Sequence, residues 1–185
     1  MSDFTVFDVD FPAAAKQRVI VNTDAKNEAD DQYAIVHAVL TPSFDLHGII
    51  PAHYGTRKTA TSMQESHDET VKLLRLMGLE GDVHVADGAS GAIADESTPV
   101  DSPGAQLIIA EAMQDDPRPL YIAFYGPLTD MASALLLEPR IAERNVRVIW
   151  IGGGPWPSGG GEYNLSNDIH AANVVMKSRV ELWQG

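Results

Sequence analysis

Residues 18–40 read RVIVNTDAKNEADDQYAIVHAVL, and the fold follows from how this stretch changes character. Within Arg18 to Asn22, Val19-Ile20-Val21 is an unbroken β-branched run, the mark of a strand buried on both faces. Apolar side chains then recur at helical spacing (Tyr33 or Ala34, Val36 or His37, Leu40) until Pro42 ends the pattern. Between strand and helix lie four carboxylates, Asp24, Glu28, Asp30 and Asp31. Two readings of them are open. Asp30 or Asp31 can cap the helix, where an acid also complements the helix dipole. Alternatively the acids, which repel one another when packed together, gather around a hard divalent cation such as calcium or magnesium.

The same alternation continues along the chain. LHGIIPAH (46–53) reads as a strand, 59–77 as a helix with Val71, Leu73, Leu74 and Leu76 on its buried side, and VHVADG (83–88) as a short strand. Residues 89–101 form a polar loop, and Ser102-Pro103-Gly104 opens a helix with proline in its first turn. LYIAFYG (120–126) is a strand, Pro127 starts a helix closed by Pro139, and VRVIWIGGG (146–154) is a strand running into glycines. Asp168 begins a last helix and VELW (180–183) a sixth strand. This order predicts one α/β domain over 1–185, a doubly wound, mostly parallel sheet with helices on both faces. Its C-terminal strand ends would gather Asp24, His53, Tyr125 and the Gly152-Gly153-Gly154 turn on one rim.

Composition narrows the chemistry. With no cysteine, thiolate metal sites, disulfides and cysteine nucleophiles are excluded. A formal charge of −13 disfavours nucleic acid and anionic membranes as partners and makes a neutral small molecule or a cation the easier ligand. The acidic N-terminus is unlike a signal peptide and no apolar run is long enough to span a bilayer, so a soluble cytoplasmic protein is expected. FDVDF (7–11) matches the Asp-x-Asp motif of haloacid-dehalogenase-type phosphatases, but lacks the buried strand that motif needs before Asp8. The glycines at 152–154 do not fit the dinucleotide fingerprint. Glu162 and Asn164, two apart, would share one face of an extended segment and could grip vicinal hydroxyls, or simply belong to a polar loop. Trp156 could stack on a base or sugar, or cover the sheet end.

Three motifs in order carry a family resemblance: Thr23-Asp24…Asp30-Asp31; Gly126-Pro127-Leu128-Thr129-Asp130-Met131-Ala132; and Gly152-Gly153-Gly154…Glu162-Tyr163-Asn164…Asp168-Ile169-His170-Ala171-Ala172. Together they resemble the inosine-uridine-preferring nucleoside hydrolases. The resemblance implies calcium-dependent cleavage of the N-glycosidic bond of a ribonucleoside. It casts Asp24 as calcium ligand and base, Asp31 as calcium ligand, and the Tyr125 carbonyl as a further ligand. It also casts Asp30, Glu162 and Asn164 as ribose contacts.

Departures from the family pattern are visible as well. Asn22 stands at the first acidic place, two extra residues precede Asp30-Asp31, and Trp156 replaces an asparagine, which bears on the grip at the ribose 5′ end. The calcium-binding aspartate and the histidine that the family supplies from its C-terminal part have no match after Asn164, which leaves His53 as the candidate proton donor. The chain thus resembles the N-terminal portion of the family fold, and an exposed packing edge predicts homo-oligomers. A non-catalytic nucleoside- or ribose-binding relative is the alternative.

Overall fold

The computed structural model describes residues 11–155 and 157–185; Asp8 of the phosphatase-like motif and Trp156 lie outside them. Five strands, all parallel, form the sheet: β1 (Gln17–Thr23), β2 (Phe44–Pro51), β3 (Leu120–Phe124), β4 (Val146–Trp150) and β5 (Glu181–Gln184), in the order β2-β1-β3-β4-β5. The helices are α1 (Asp30–Leu40), α2 (Ser62–Leu76), α3 (Pro103–Ala112), α4 (Thr129–Leu137), α5 (Tyr163–Asn167) and α6 (Ile169–Lys177). The expected α/β architecture is therefore present, with helices on both faces.

Strand alternation divides the interior in two. Ile20, Ile50, Ile122, Phe124, Val148 and Trp150 point to one face, where α3, α4 and α6 close the larger core. Val19, Val21 and Ile49 point to the other and pack on Ile35 of α1 and Leu74 of α2. α4 runs through the middle of the first layer, which is why Thr129 to Leu135 are all buried. On the second face α1 and α2 cover only the β2–β1 side. Beyond them Tyr121, Ala123 and Ile149 line a groove of about 350 Å³, and Trp183 is 47 % exposed.

Several local expectations change. The buried stripe of α1 is Asp31, Ile35 and Ala38, while Tyr33 faces solvent. Leu76 of α2 is likewise exposed, because Leu74 and Thr70 take the inner side. The 83–88 segment is not a strand. It follows the β2 edge through one bridge, Val85 to Ile49, and a further bond from the Gly88 N–H to the Pro51 carbonyl at 3.1 Å, and the Ala89 N–H then reaches Asp130 at 2.8 Å. The opening at Ser102 holds: its side chain accepts from the Ala105 N–H and Pro103 sits in the first turn of α3. α4 starts at Thr129, two residues after Pro127.

In this strand order β1 and β3 are neighbours whose connections leave in opposite directions. A crevice opens at their C-terminal ends, and open α/β sheets bind ligands at such a switch point.

Candidate active site

β1 delivers Asn22, Thr23 and Asp24 to that crevice, all buried. The chain then turns, with the Asn27 N–H donating to the Asp24 carbonyl at 2.8 Å, and enters α1. Neither acid of the first turn caps the helix; the N-cap is Ala29 and makes no side-chain cap. Asp31 instead folds back, buried, and accepts a hydrogen bond from the Thr23 hydroxyl. Asp30 and Glu28 stay at the exposed rim.

Asp24 is the least satisfied group in the site. Its Oδ2 is buried and has no hydrogen-bond partner among the described residues. Burial first, and the neighbouring Asp31 charge second, push its carboxyl up to about 8. Burial, with help from Asp30 and Glu28, lifts Asp31 to about 6 against the pull of Thr23. Gly126, after β3, packs against Asp24: a Cβ there would lie 3.4 Å from the Asp24 Cβ and Cγ. A methyl group at 126 would meet the carboxylate in ordinary van der Waals contact.

Asn22 Nδ2 donates to Asp130 at 2.9 Å, which leaves Asn22 Oδ1 as a second buried acceptor without a donor. Asp130 is fully enclosed and also accepts from Ser102 Oγ at 2.7 Å and the Ala89 N–H. It ties β1, the 89–101 loop and α3 to the start of α4. An aspartate at position 22 would set two buried carboxylates against each other, so the amide suits this chain.

On the opposite wall Glu162 and Asn164 are paired, while Asn167 Nδ2 at the end of α5 is buried with no partner among the described residues. Asn164 Nδ2 donates to the carbonyls of Tyr125 (2.7 Å) and Ile151 (2.9 Å), stapling the ends of β3 and β4. Glu162 is the N-cap of α5 and accepts from the Asn164, Leu165 and Gly153 N–H groups. The extended segment expected here is thus a cap and a short helix, and the two side chains do not simply share a strand face. Gly153 and Gly154 both adopt positive φ, and at Gly152 a Cβ would fall 2.4 Å from the Trp150 ring, so this turn requires glycine.

His53 ends just beyond β2 on the expected rim, but its ring is enclosed. Nδ1 accepts from the Gly55 N–H at 3.1 Å, so Nε2 carries the proton and donates to Thr129 Oγ1 at 2.8 Å; Thr129 in turn donates to Asp168 at 2.7 Å. Burial lowers the imidazole to about 4, with Asp168 pulling the other way. Its single N–H is committed inside the fold, which leaves no proton for a leaving group. Asp168 caps α6 and holds the Ile93 N–H.

The acids of β1 and α1 fit a hard cation in part. Two carboxylates converge with an oxygen that lacks any donor, and a carbonyl such as that of Tyr125 has a second lone pair to offer. Among the described residues, no third acid or histidine joins them as a ligand set.

The family model for inosine-uridine preferring nucleoside hydrolases matches residues 19–184. This chain belongs to that family. It is 27 % identical to the pyrimidine-specific ribonucleoside hydrolase RihA of Citrobacter koseri, over 82 % of this chain and 54 % of the relative. With the non-specific ribonucleoside hydrolase RihC of Escherichia coli it shares 26 % identity, over 89 % of this chain and 60 % of the relative. The purine-preferring ribonucleoside hydrolase from Gardnerella vaginalis superposes with a TM-score of 0.74 at 22 % identity, covering 91 % of this chain and 60 % of that one. The chain therefore spans little more than half the length of the relatives it matches. Asp24 and Asp31 come together at the switch point as the family motif implies, while Glu162 and His53 are engaged with the scaffold.

Proposed function

We propose that the crevice at the ends of β1 and β3 hydrolyses the N-glycosidic bond of ribonucleosides, giving base and ribose, with calcium as cofactor. The observation that carries this reading is Asp24: a buried carboxylate oxygen without a donor, beside a second buried carboxylate, at the switch point of a nucleoside hydrolase fold. Asp24, Asp31 and the Tyr125 carbonyl would hold the cation. When bound, it would offset the burial and the Asp31 repulsion that keep Asp24 protonated, and lower the pKa of a coordinated water. Asp24 then serves as the base that receives the proton of the attacking water. Asp30, exposed at the rim, and Asn164 contact ribose hydroxyls, and Glu162 fixes Asn164 by holding its backbone N–H. The carboxylates also favour the positive charge that develops on the sugar as the base departs. His53 contributes position, keeping the β2 exit and the α4 start together through Thr129.

A second reading, a ribonucleoside-binding module without turnover, is favoured by the lack of a third acid beside Asp24 and Asp31 among the described residues. Release of ribose from purine and pyrimidine nucleosides, with calcium and with a chelator, separates the two. The hydrolase reading expects release that the chelator and Asp24→Asn both abolish. Ligand-dependent thermal stabilisation with no release, in the presence of calcium, would select the binding module.

A further inference from the structure

The cations of the described chain mostly sit on carboxylates, as in Arg18–Glu111, Lys26–Glu69, Arg75–Glu80, Arg147–Glu181 and Lys177–Glu96. Arg57 and Lys58 do not. These consecutive residues follow β2 at the crevice mouth, and no carboxylate among the described residues lies within ion-pair distance of either.

Both are nonetheless held in place. The Arg57 guanidinium lies 5.0 Å and the Lys58 Nζ 5.4 Å from the centre of the Tyr163 ring. Arg57 donates to Ser166 Oγ (3.0 Å) and Asn167 Oδ1 (3.2 Å), and Lys58 to Asn27 Oδ1 at 2.5 Å. Asn27 also accepts from the Tyr163 hydroxyl, and its own N–H closes the turn onto Asp24. A short run of contacts thus joins the two cations to the candidate base. The nearby acid Glu65 is turned to the hydroxyls of Tyr54, Thr59 and Thr61 and leaves them uncompensated.

We infer that Arg57 and Lys58 receive a phosphomonoester on the sugar, so that this site takes nucleoside monophosphates as well as unmodified nucleosides and binds them more tightly. A phosphate dianion offers the charge and the acceptor oxygens that a guanidinium fork and an ammonium recognise together. The chain's −13 charge opposes anions at long range, but that field is screened over about 8 Å in physiological salt, and the local pair then decides. Water adds across the N-glycosidic bond, its hydroxyl to the anomeric carbon and its proton to the leaving base; the phosphoester is untouched and the product is a ribose phosphate. The inference rests on the hydrolase reading for the reaction, but not for binding.

The test uses calorimetry of inosine against inosine 5′-monophosphate, and uridine against uridine 5′-monophosphate, on the 185-residue chain in calcium. The Arg57→Gln/Lys58→Gln double variant, checked for an unchanged melting profile, is measured alongside. The monophosphates are expected to bind at least about tenfold more tightly, the scale of one charge-assisted hydrogen bond. That ratio is expected to fall to about two or less in the double variant and to shrink with added salt. Equal affinities, tighter binding of the nucleosides, no binding of the monophosphates, or a ratio that survives both substitutions would overturn it. Base release from neither class, with the affinity ratio intact, would overturn the hydrolase reading alone.

Discussion

On the β1–α1 side of the crevice, Asp24 Oδ2 and Asn22 Oδ1 are buried with no donor among the described residues, and two carboxylates lie close together. On the β4–α5 side both oxygens of Glu162 are matched to backbone N–H groups, and the Asn164 amide holds two strand-end carbonyls. Both walls are rich in polar residues, so polarity alone does not mark the chemistry. The walls differ in what is left over: two unmatched acceptors on the first, and on the second one unmatched donor, Asn167 Nδ2, at the far end of α5, among the described residues. A buried acceptor left unmatched costs stability, and a fold keeps such a group where a ligand completes it. The paired wall mainly places loops and offers Asn164 to the ribose; the unmatched acceptors of the other wall are where a cation would act.

Substitutions should separate the two walls cleanly. The largest effect is expected for Asp24→Asn, which removes the proposed base: ribose release should fall by about 10³-fold. The melting temperature of the calcium-free protein should hold at neutral pH and rise near pH 8.5, where Asp24 would otherwise carry a buried charge beside Asp31. A stability loss equal to that of a framework mutant would erase the distinction. Asn22→Asp should come next, at about 3 kcal/mol of lost stability in denaturant titration, since it sets a second carboxylate against enclosed Asp130. Glu162→Ala should cost about 2 kcal/mol by leaving three N–H groups without their acceptor. Unchanged stability there would mean that the paired wall is not framework.

A subtler contrast lies in pH. Asp24 and Asp31 titrate higher in the calcium-free folded chain than in the unfolded one, so between about pH 4 and 8 the folded state binds more protons. Their contribution is fully present below about pH 4 and is lost as pH rises through about 6 and then 8. His53 runs the other way: its lowered value makes the fold lose stability as pH falls from 6.5 toward about 4. Denaturation at pH 6.5 and 8.5 should therefore show lower calcium-free stability at the higher pH, and calcium should flatten the difference. A slope that calcium leaves unchanged would point to other groups.

Much of this was legible in the sequence, for physical reasons that also explain what was not. The RVIVN run and the 11-residue helix after it carry their own period, and α1 starts at the acid pair where the pattern begins. VHVADG has strand composition, but a strand also needs a partner edge over several residues, and only one bridge forms. α5 is too short for any period to be read; it exists because Glu162 caps it, a bond that depends on the Gly153 turn folding back. Within the site, Asp24 and Asp31 stand out because acids cluster before a helix. The role of Asp130 does not, because its three donors come from residues 22, 89 and 102 and meet only in the folded chain. His53 follows β2, as the strand pattern implies, yet its tautomer and partners are set by Gly55 and Thr129, which no local pattern joins to it.

The central claim is that the unpaired wall is a cation site waiting on Asp24 and Asp31. Calcium titration calorimetry at pH 7, in two buffers of different ionisation enthalpy, reports both affinity and proton release. The account predicts calcium binding with release of about one proton, carried mainly by Asp24, and loss of both signals in Asp24→Asn. Absence of calcium binding by the folded chain, or binding that releases no proton and survives Asp24→Asn, would contradict it.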